Sequence, residues 1–230
     1  MGILKAVAFD LDGTLYPNYR IYRRLFPILI LHPYLLNKFM KVRRELHALK
    51  DESLEDGASF YDRQAAFMAR ILGKGIEETK LKIERMVYKN WEKHFSGIEL
   101  FPYVKETLSA FRDAGLRLAL LSDFPPAKKL VELGLDSYFD LVLCSEDTGK
   151  LKPSPVPFAA LIKGLALPPK EILYVGNSVH FDVEGSLSAG MQAALIRRGL
   201  FSTGRVSKNS TKKADFVFRD YRQLQEYVLR

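Results

Sequence analysis

Two aspartates, Asp10 and Asp12, stand where an apolar run ends in the stretch VAFDLDGTL (residues 7–15). Gly13 and Thr14 follow them at once. Packing alone gives a chain no reason to carry a buried strand into two like charges, because buried charges must be paired. Neighbouring carboxylates are suited to nucleophilic attack, to proton transfer and to binding a divalent cation. The spacing therefore marks the end of the first strand as a candidate catalytic site.

Polar side chains also follow three later apolar runs. The run LALLSD ends at Ser122 and Asp123, LVLCSEDTGKLKP leads to Lys150 and Lys152, and ILYVGNSVHFD contains Asn177 and Asp182. In an open parallel sheet, ligands bind beyond the carboxyl ends of the strands. Four polar strand ends, one of them with paired acids, predict one shared site.

Strand and helix patterns alternate after about residue 98. The apolar runs RLALLS, DLVLCS, ILYVG and QAALIR are separated by helical patterns at about 102–115, 127–133, 156–165 and 182–189, and ADFVF and a terminal helix follow. This alternation predicts a Rossmann-like parallel α/β sheet with helices on both faces. Residues 17–97 show only helical patterns. We therefore predict a core domain formed by 1–16 and 98–230, with an inserted all-helical domain at 17–97 placed as a lid over the site.

Composition limits the partners of this 230-residue chain. Its 47% apolar content supports a real core, and its net charge of +8 favours anionic ligands such as phosphorylated metabolites. The densest basic stretch, 197–213, contains Phe201 as its only aromatic residue and is a poor platform for stacking bases. We therefore expect a small phosphorylated substrate and no nucleic acid, and the sequence leaves the oligomeric state open.

The single cysteine, Cys144, excludes an internal disulfide and suits a reducing compartment. The first strand begins too early to leave room for a signal peptide, so a cytoplasmic location is expected. The most apolar segment, LFPILILHPYLL (residues 25–36), is too short to span a bilayer and contains Pro27 and Pro33. We predict a buried or lid helix there and expect no membrane partner, with association at a membrane surface as the alternative.

The four strand ends resemble the motifs of the haloacid dehalogenase superfamily, in the order in which its phosphatases carry them. D-x-D-G-T matches Asp10–Thr14, a Ser or Thr closing a strand matches Ser122, G-x-x-K-P matches Gly149–Pro153, and the usual G-D-x-x-x-x-D appears as Gly176–Asp182. The third motif points to Lys152, with Lys150 as competitor. The helical insert has the position of the superfamily's C1-type cap. The fourth motif departs from the pattern, because Asn177 replaces an acid.

The resemblance implies a Mg²⁺-dependent phosphatase that works through an aspartyl-phosphate on Asp10. In such a scheme Asp12 transfers protons to and from the leaving group and water, while Ser122 and Lys152 stabilise the phosphoryl group. The remaining assignments carried over are substrate contacts at Gly13, Thr14, Asp123 and Lys152, and metal ligation by Asp10, the Asp12 carbonyl, Asn177 and Asp182. Whether Asn177 or Asp182 is the direct ligand stays open, and the neutral amide predicts weaker metal binding.

Three alternatives remain at this point. A phosphomutase would keep both aspartates and return the phosphoryl group to a sugar phosphate. A haloacid dehalogenase would need no metal, but such enzymes usually lack the second aspartate of the first motif, so Asp12 counts against it. A non-catalytic phospholigand-binding protein is favoured only by Asn177. The substrate itself cannot be read, because the lid residues carry no recognisable motif.

Overall fold

The computed structural model describes residues 4–48, 58–197 and 214–230. Within these ranges six parallel strands form one sheet in the order β3-β2-β1-β4-β5-β6. The strands are β1 (Ala6–Phe9), β2 (Arg117–Ser122), β3 (Leu141–Cys144), β4 (Ile172–Gly176), β5 (Gln192–Ile196) and β6 (Phe216–Phe218). The predicted Rossmann-like sheet is confirmed.

The helices fall into two groups along the chain. Those of the insert are α1 (Asn18–Leu31), α2 (Pro33–Ala48), α3 (Phe60–Leu72), α4 (Ile76–Ile83) and α5 (Lys89–Lys93), the last two joined by a π-helical turn at Glu84–Tyr88. Those around the sheet are α6 (Val104–Asp113), α7 (Ala127–Leu133), α8 (Pro155–Leu165), α9 (Gly185–Ser188) and α10 (Tyr221–Val228). The helical patterns predicted for residues 17–97 thus form helices, with a π-helical turn between α4 and α5.

Both faces of the sheet are buried. Along β1, Val7 and Phe9 pack into one core cluster with side chains of α6, α7 and α10. Ala6 and Ala8 pack into a second cluster with side chains of α8. Successive strand residues point to opposite faces, so a strand covered on both sides needs an uninterrupted apolar run. This requirement explains why the first strand reads as a run of apolar residues rather than an alternation.

Strand register places the site. Phe9 pairs with Leu120 of β2 on one side and with Val175 of β4 on the other. The chain adds β2 and β3 on one side of β1 and then crosses to add β4, so the strand order reverses between β1 and β4. Ligands of open α/β sheets bind at such a reversal, beyond the carboxyl ends of the strands. Asp10 and the residues after Gly176 lie at this position.

The apolar segment at 25–36 is largely exposed: of the predicted buried or lid helix, the buried alternative is wrong, and the segment belongs to α1 and α2 of the helical insert. α1 buries Ile21 and Leu25 in the core cluster, and among the described residues its opposite side is exposed. The exposed side chains of the segment include Phe26, Ile30, Leu31 and Tyr34. Pro27 lies inside α1. In the described part of the chain, every helix is too short or too polar to cross a membrane.

Helix α10 is hydrogen-bonded to the loop that follows β1. The Tyr221 hydroxyl at the start of α10 donates to the Thr14 carbonyl oxygen (2.5 Å), and the Thr107 hydroxyl of α6 donates to the Tyr221 carbonyl oxygen (3.2 Å). Tyr221 is fully buried. Helix α10 thus supports the loop after β1 through the Tyr221 side chain.

Candidate active site

Asp10 continues β1 by one residue and is held from three directions. Its backbone N–H donates to the Val175 carbonyl oxygen (2.9 Å), which ties it to β4. One carboxylate oxygen accepts a hydrogen bond from the Thr14 hydroxyl (2.7 Å) and the other from Lys152 Nζ (2.8 Å). Burial raises the pKa of Asp10 to about 7, against the opposing charge of Lys152 and with the help of the Asp182 charge. The Asp10 carboxyl group is therefore fixed in orientation. The positive charge of Lys152 offsets only part of the effect that burial and the Asp182 charge have on its pKa.

Lys152 is the lysine at the centre of the site. Its ammonium group donates to Asp10 Oδ1 (2.8 Å), Asp182 Oδ1 (2.8 Å) and the Tyr174 hydroxyl (3.1 Å), and the side chain is 2% exposed. Burial works to lower the pKa of Lys152, but the charges of Asp10 and Asp182 outweigh it and raise the pKa. Lys152 is therefore a permanent cation between two carboxyl groups, and it is the motif lysine that contacts Asp10.

Asp182 accepts hydrogen bonds from Lys152 and from the loop after β4. One oxygen accepts from Lys152, and the other accepts from the backbone N–H groups of Asn177 (3.1 Å) and Ser178 (2.9 Å). The predicted helix start at Asp182 is wrong: helical structure begins at Val179 in a π-helical turn, because the Ser178 hydroxyl accepts the Phe181 N–H. Both oxygens of Asp182 are thereby engaged, and its side chain is 2% exposed.

Asp12 faces a second lysine. Lys129 Nζ of α7 lies 2.8 Å from one carboxylate oxygen of Asp12 and 2.7 Å from the other. The Tyr16 hydroxyl also donates to Asp12. Burial is the main cause that raises the pKa of Tyr16, with the Asp12 charge second, so the phenol remains a donor. Including Asp10 and Asp182, the site sets three carboxyl groups against the ammonium groups of two lysines.

The donor atoms around Asp10 fit a hard cation. A Cβ built on Gly13, which has a φ of +88°, would lie 2.1 Å from Asn177 Nδ2, so the Asn177 amide lies directly against the loop that carries Asp12. The Asp10 carboxylate, the Asp12 carbonyl and the Asn177 side-chain carbonyl carry oxygen atoms, the ligand type that Mg²⁺ prefers, whereas the Asn177 atom nearest to Gly13 is the amide nitrogen. Over the described ranges no three side chains of Asp, Glu, His or Cys form a metal-binding group. A metal here would therefore rely on backbone and amide oxygens as well as on Asp10.

The other predicted site residues have varied positions. Ser122 is fully buried at the end of β2, and its hydroxyl accepts the Phe124 N–H (3.2 Å). Asp123 accepts the Lys152 backbone N–H (3.2 Å) and so holds the lysine loop. Thr14 is fully buried and binds Asp10, so we expect its side chain to position Asp10 rather than contact substrate as predicted.

Helix α2 of the insert reaches the site. Arg43 forms an ion pair with Glu146, donates to the Asp123 carbonyl oxygen (2.8 Å) and stacks on Phe124 (3.8 Å to the ring centroid). His47, one turn later, donates from Nδ1 to the Lys152 carbonyl oxygen (2.6 Å). Burial lowers the pKa of His47. Residues four apart share one helix face, so this face of α2 is bound to the loops that carry Asp123 and Lys152.

Sequence reasoning missed several of these groups. They are Arg43, His47, Lys129 and Tyr174. The spacing of Arg43 and His47 was a usable signal, because it places two polar groups on one helix face. Lys129 follows another lysine in PPAKKL, and nothing in that pattern distinguishes a buried lysine from an exposed one.

Comparison with known proteins agrees with this geometry. A family model described as "haloacid dehalogenase-like hydrolase" matches residues 4–190. A glyceraldehyde 3-phosphate phosphatase of Methanopyrus kandleri is 28% identical, with 98% of this chain and 97% of that protein covered. A phosphoglycolate phosphatase of Salmonella typhi is 26% identical over 96% and 91%. The crystal structure of a HAD phosphatase from Thermococcus onnurineus is 27% identical, covers 98% of both chains and superposes with a TM-score of 0.60.

A second solved structure shares the fold alone. The L-2-haloacid dehalogenase of Xanthobacter autotrophicus superposes with a TM-score of 0.66 at 21% identity, over 99% of both chains. Because phosphatase and dehalogenase backbones both match, the side chains at the strand ends must decide the chemistry.

Proposed function

The chain belongs to the haloacid dehalogenase-like hydrolase family, and on this premise we propose that it is a Mg²⁺-dependent phosphatase that hydrolyses a small phosphorylated metabolite through an aspartyl-phosphate on Asp10. One observation carries the proposal: Lys152 Nζ lies 2.8 Å from both Asp10 and Asp182 at the point where the strand order reverses. The names of the relatives from Methanopyrus kandleri and Salmonella typhi support a phosphoric monoester hydrolase.

Asp10 is the nucleophile of this scheme. A carboxylate can attack a phosphate dianion only if the repulsion between them is offset, and the buried Lys152 supplies positive charge at the attacking group. The Thr14 hydroxyl binds one Asp10 oxygen, and this bond also fixes the orientation of the other oxygen. The bond from Asp10 to phosphorus forms as the bond from phosphorus to the alcohol oxygen breaks. Water then hydrolyses the acyl phosphate and restores Asp10.

Asp12 is the proton-transfer group. It lies two residues beyond Asp10 on the same loop, so its carboxyl group reaches the opposite side of a phosphoryl group held at Asp10. It gives a proton to the leaving alcohol and later takes one from the attacking water. This second carboxyl group favours a phosphatase over a haloacid dehalogenase, whose chemistry does not call for an acid at this position.

Mg²⁺, when bound, would supply the positive charge that the phosphoryl group and Asp10 share. The residues that would hold it are Asp10, the Asp12 main-chain carbonyl and the Asn177 amide. Asp182 is the other candidate ligand, and its oxygens accept from Lys152 and from backbone N–H groups just as those of Asp10 accept from Lys152 and Thr14.

We further propose that residues 17–97 form the cap domain of the enzyme and that 1–16 with 98–230 form its core. The two connections run side by side, since the Phe101 N–H donates to the Leu15 carbonyl oxygen (2.9 Å). Arg43 and His47 bring the cap against the loops of the core that carry the site. In this arrangement the cap covers the bound phosphate and excludes water.

Hydrolysis assays test the proposed function directly. We expect the purified protein to release phosphate from p-nitrophenyl phosphate and from some members of a panel of small alkyl phosphates, with Mg²⁺ and not with EDTA. Release of chloride from a 2-haloacid without metal would instead indicate a dehalogenase. Absence of phosphate release by folded, Mg²⁺-supplied protein across the panel would refute the proposal.

Asn177→Asp is expected to raise the affinity for Mg²⁺ about tenfold, because it adds one formal negative charge to the oxygen donors. Isothermal titration of Mg²⁺ into the phosphate-free protein measures this without any turnover. Asn37→Asp, an exposed substitution on α2, makes the same charge change and is the matched control. Equal Mg²⁺ affinity in Asn177→Asp and the unsubstituted chain would argue against Asn177 as a ligand position.

A further inference from the structure

Lys129 is buried at the reacting end of the site, although no motif includes it. It lies on α7, the helix that follows the loop after β2, and is 5% exposed. Its ammonium group is 2.8 and 2.7 Å from the two oxygens of Asp12. A buried lysine requires a compensating partner, and among the described ion pairs of Lys129 that partner is Asp12.

The ammonium group is itself held in place. It lies over the ring of Phe95 at 5.1 Å and over the ring of Phe124 at 5.3 Å. Both distances are within the range at which a cation is attracted to an aromatic face. Phe95 packs edge to face against Tyr16, with ring centroids 5.5 Å apart, and Tyr16 donates to Asp12. The Asp12 carboxyl group therefore accepts from Lys129 and Tyr16, and Phe95 packs against both of these donors.

We propose that Lys129 is the positioning residue of Asp12 and that it adapts the site to phosphate esters of aliphatic alcohols. The inference rests on the proposed function, in which Asp12 transfers the proton. Asp12 follows β1 in a loop next to Gly13, where the backbone is in the left-handed region. A carboxyl group on such a loop rotates unless both oxygens are bound, and Lys129 binds both.

The need for this orientation depends on the leaving group. As the bond from Asp10 to phosphorus forms and the bond from phosphorus to the alcohol oxygen breaks, the electron pair goes to that oxygen, which takes the proton that Asp12 carries in the substrate complex. Asp12 is left as the carboxylate that pairs with Lys129, and Lys129 keeps its own protons. An aliphatic alkoxide is a strong base and cannot leave without that proton. The p-nitrophenolate anion is stable by itself, so its departure depends little on Asp12. A misaligned Asp12 should therefore slow alkyl phosphates far more than p-nitrophenyl phosphate.

A merely structural ion pair would behave differently. Buried ion pairs contribute little net stability when both partners are considered, and their loss would disturb the site for all substrates alike. Selectivity by leaving group thus separates a positioning role from a structural one.

The experiment compares Lys129→Met with Lys128→Met, the adjacent lysine, whose side chain is 71% exposed and pairs with Glu92. The substrates are p-nitrophenyl phosphate and the best alkyl phosphate of the panel. We expect Lys129→Met to lower kcat/KM, which covers only the steps up to departure of the alcohol, about 100-fold for the alkyl phosphate and less than tenfold for p-nitrophenyl phosphate. Lys129→Arg should restore part of the alkyl phosphate activity, and Lys128→Met should resemble the unsubstituted enzyme.

Tyr16→Phe provides a second variant in case Lys129→Met does not fold, since it removes the other side-chain donor to Asp12. It should show the same selectivity to a smaller degree. Equal losses of kcat/KM on both substrates, or no loss on either, would overturn the proposal for Lys129 while leaving the phosphatase assignment in place. Failure of the unsubstituted enzyme to hydrolyse any phosphate ester would instead overturn the proposed function.

Discussion

Asp10→Asn is expected to lower kcat for phosphate release about 1,000-fold or more while leaving the fold intact. An amide oxygen is a poor nucleophile, so no acyl phosphate can form, and loss of a covalent nucleophile removes most of the rate enhancement. The structure should persist because Lys152 keeps Asp182 as a partner and the Asp10 backbone bond to β4 does not involve the side chain.

Initial rates and circular dichroism of the purified variant check this result. Asp136→Asn, which makes the same change at an exposed position, is the control and should keep full activity. Acid-quenched unsubstituted enzyme should also carry covalently bound phosphate that the Asp10→Asn variant lacks. A variant that retains more than a tenth of the activity would show that another group attacks phosphorus.

Lys152→Met is expected to reduce both activity and stability. The substitution leaves the carboxyl groups of Asp10 and Asp182 buried without their shared cation, and an uncompensated buried charge costs about 3–5 kcal/mol of unfolding free energy. The Asp10 carboxylate would also lose the charge that offsets repulsion from phosphate, so we expect kcat to fall by about 1,000-fold.

Urea unfolding and steady-state kinetics measure the two effects separately. Lys150→Met is the informative comparison, because Lys150 competes for the same role in the sequence motif and is also buried. If Lys150→Met lowered kcat more than Lys152→Met did, the assignment of the phosphate lysine would have to be reversed. Lys152→Arg keeps the positive charge and should recover stability before it recovers activity, since guanidinium geometry differs from that of ammonium.

The sheet and its polar strand ends could be predicted because they follow from local rules. A parallel strand buried on both faces needs a run of apolar residues, and the run of β1 ends abruptly at Asp10. The spacing from Asp10 to Asp12 and the G-x-x-K-P pattern around Lys152 are likewise local in sequence. The resemblance drawn from these motifs is confirmed by the match to the family.

Contacts between distant segments could not be read in the same way. Lys129 meets Asp12 across 117 positions and Arg43 meets Glu146 across 103, and neither pair shares a pattern that a single sequence reveals. The exposed side of α1 was misjudged for a related reason. Apolar residues predict burial only on average, and whether a helix is covered on one side or both depends on neighbours that the local sequence does not specify.

The bond from Tyr221 to the Thr14 carbonyl has a consequence for how the enzyme is made. On the ribosome, the strand that precedes Asp10 emerges first, yet its flanking strands begin only at Arg117 and Ile172. The tyrosine that supports the loop emerges 207 positions after the threonine that it binds. A segment synthesised late therefore supports the loop beside Asp10, and a product truncated before α10 would carry all four motifs without that support.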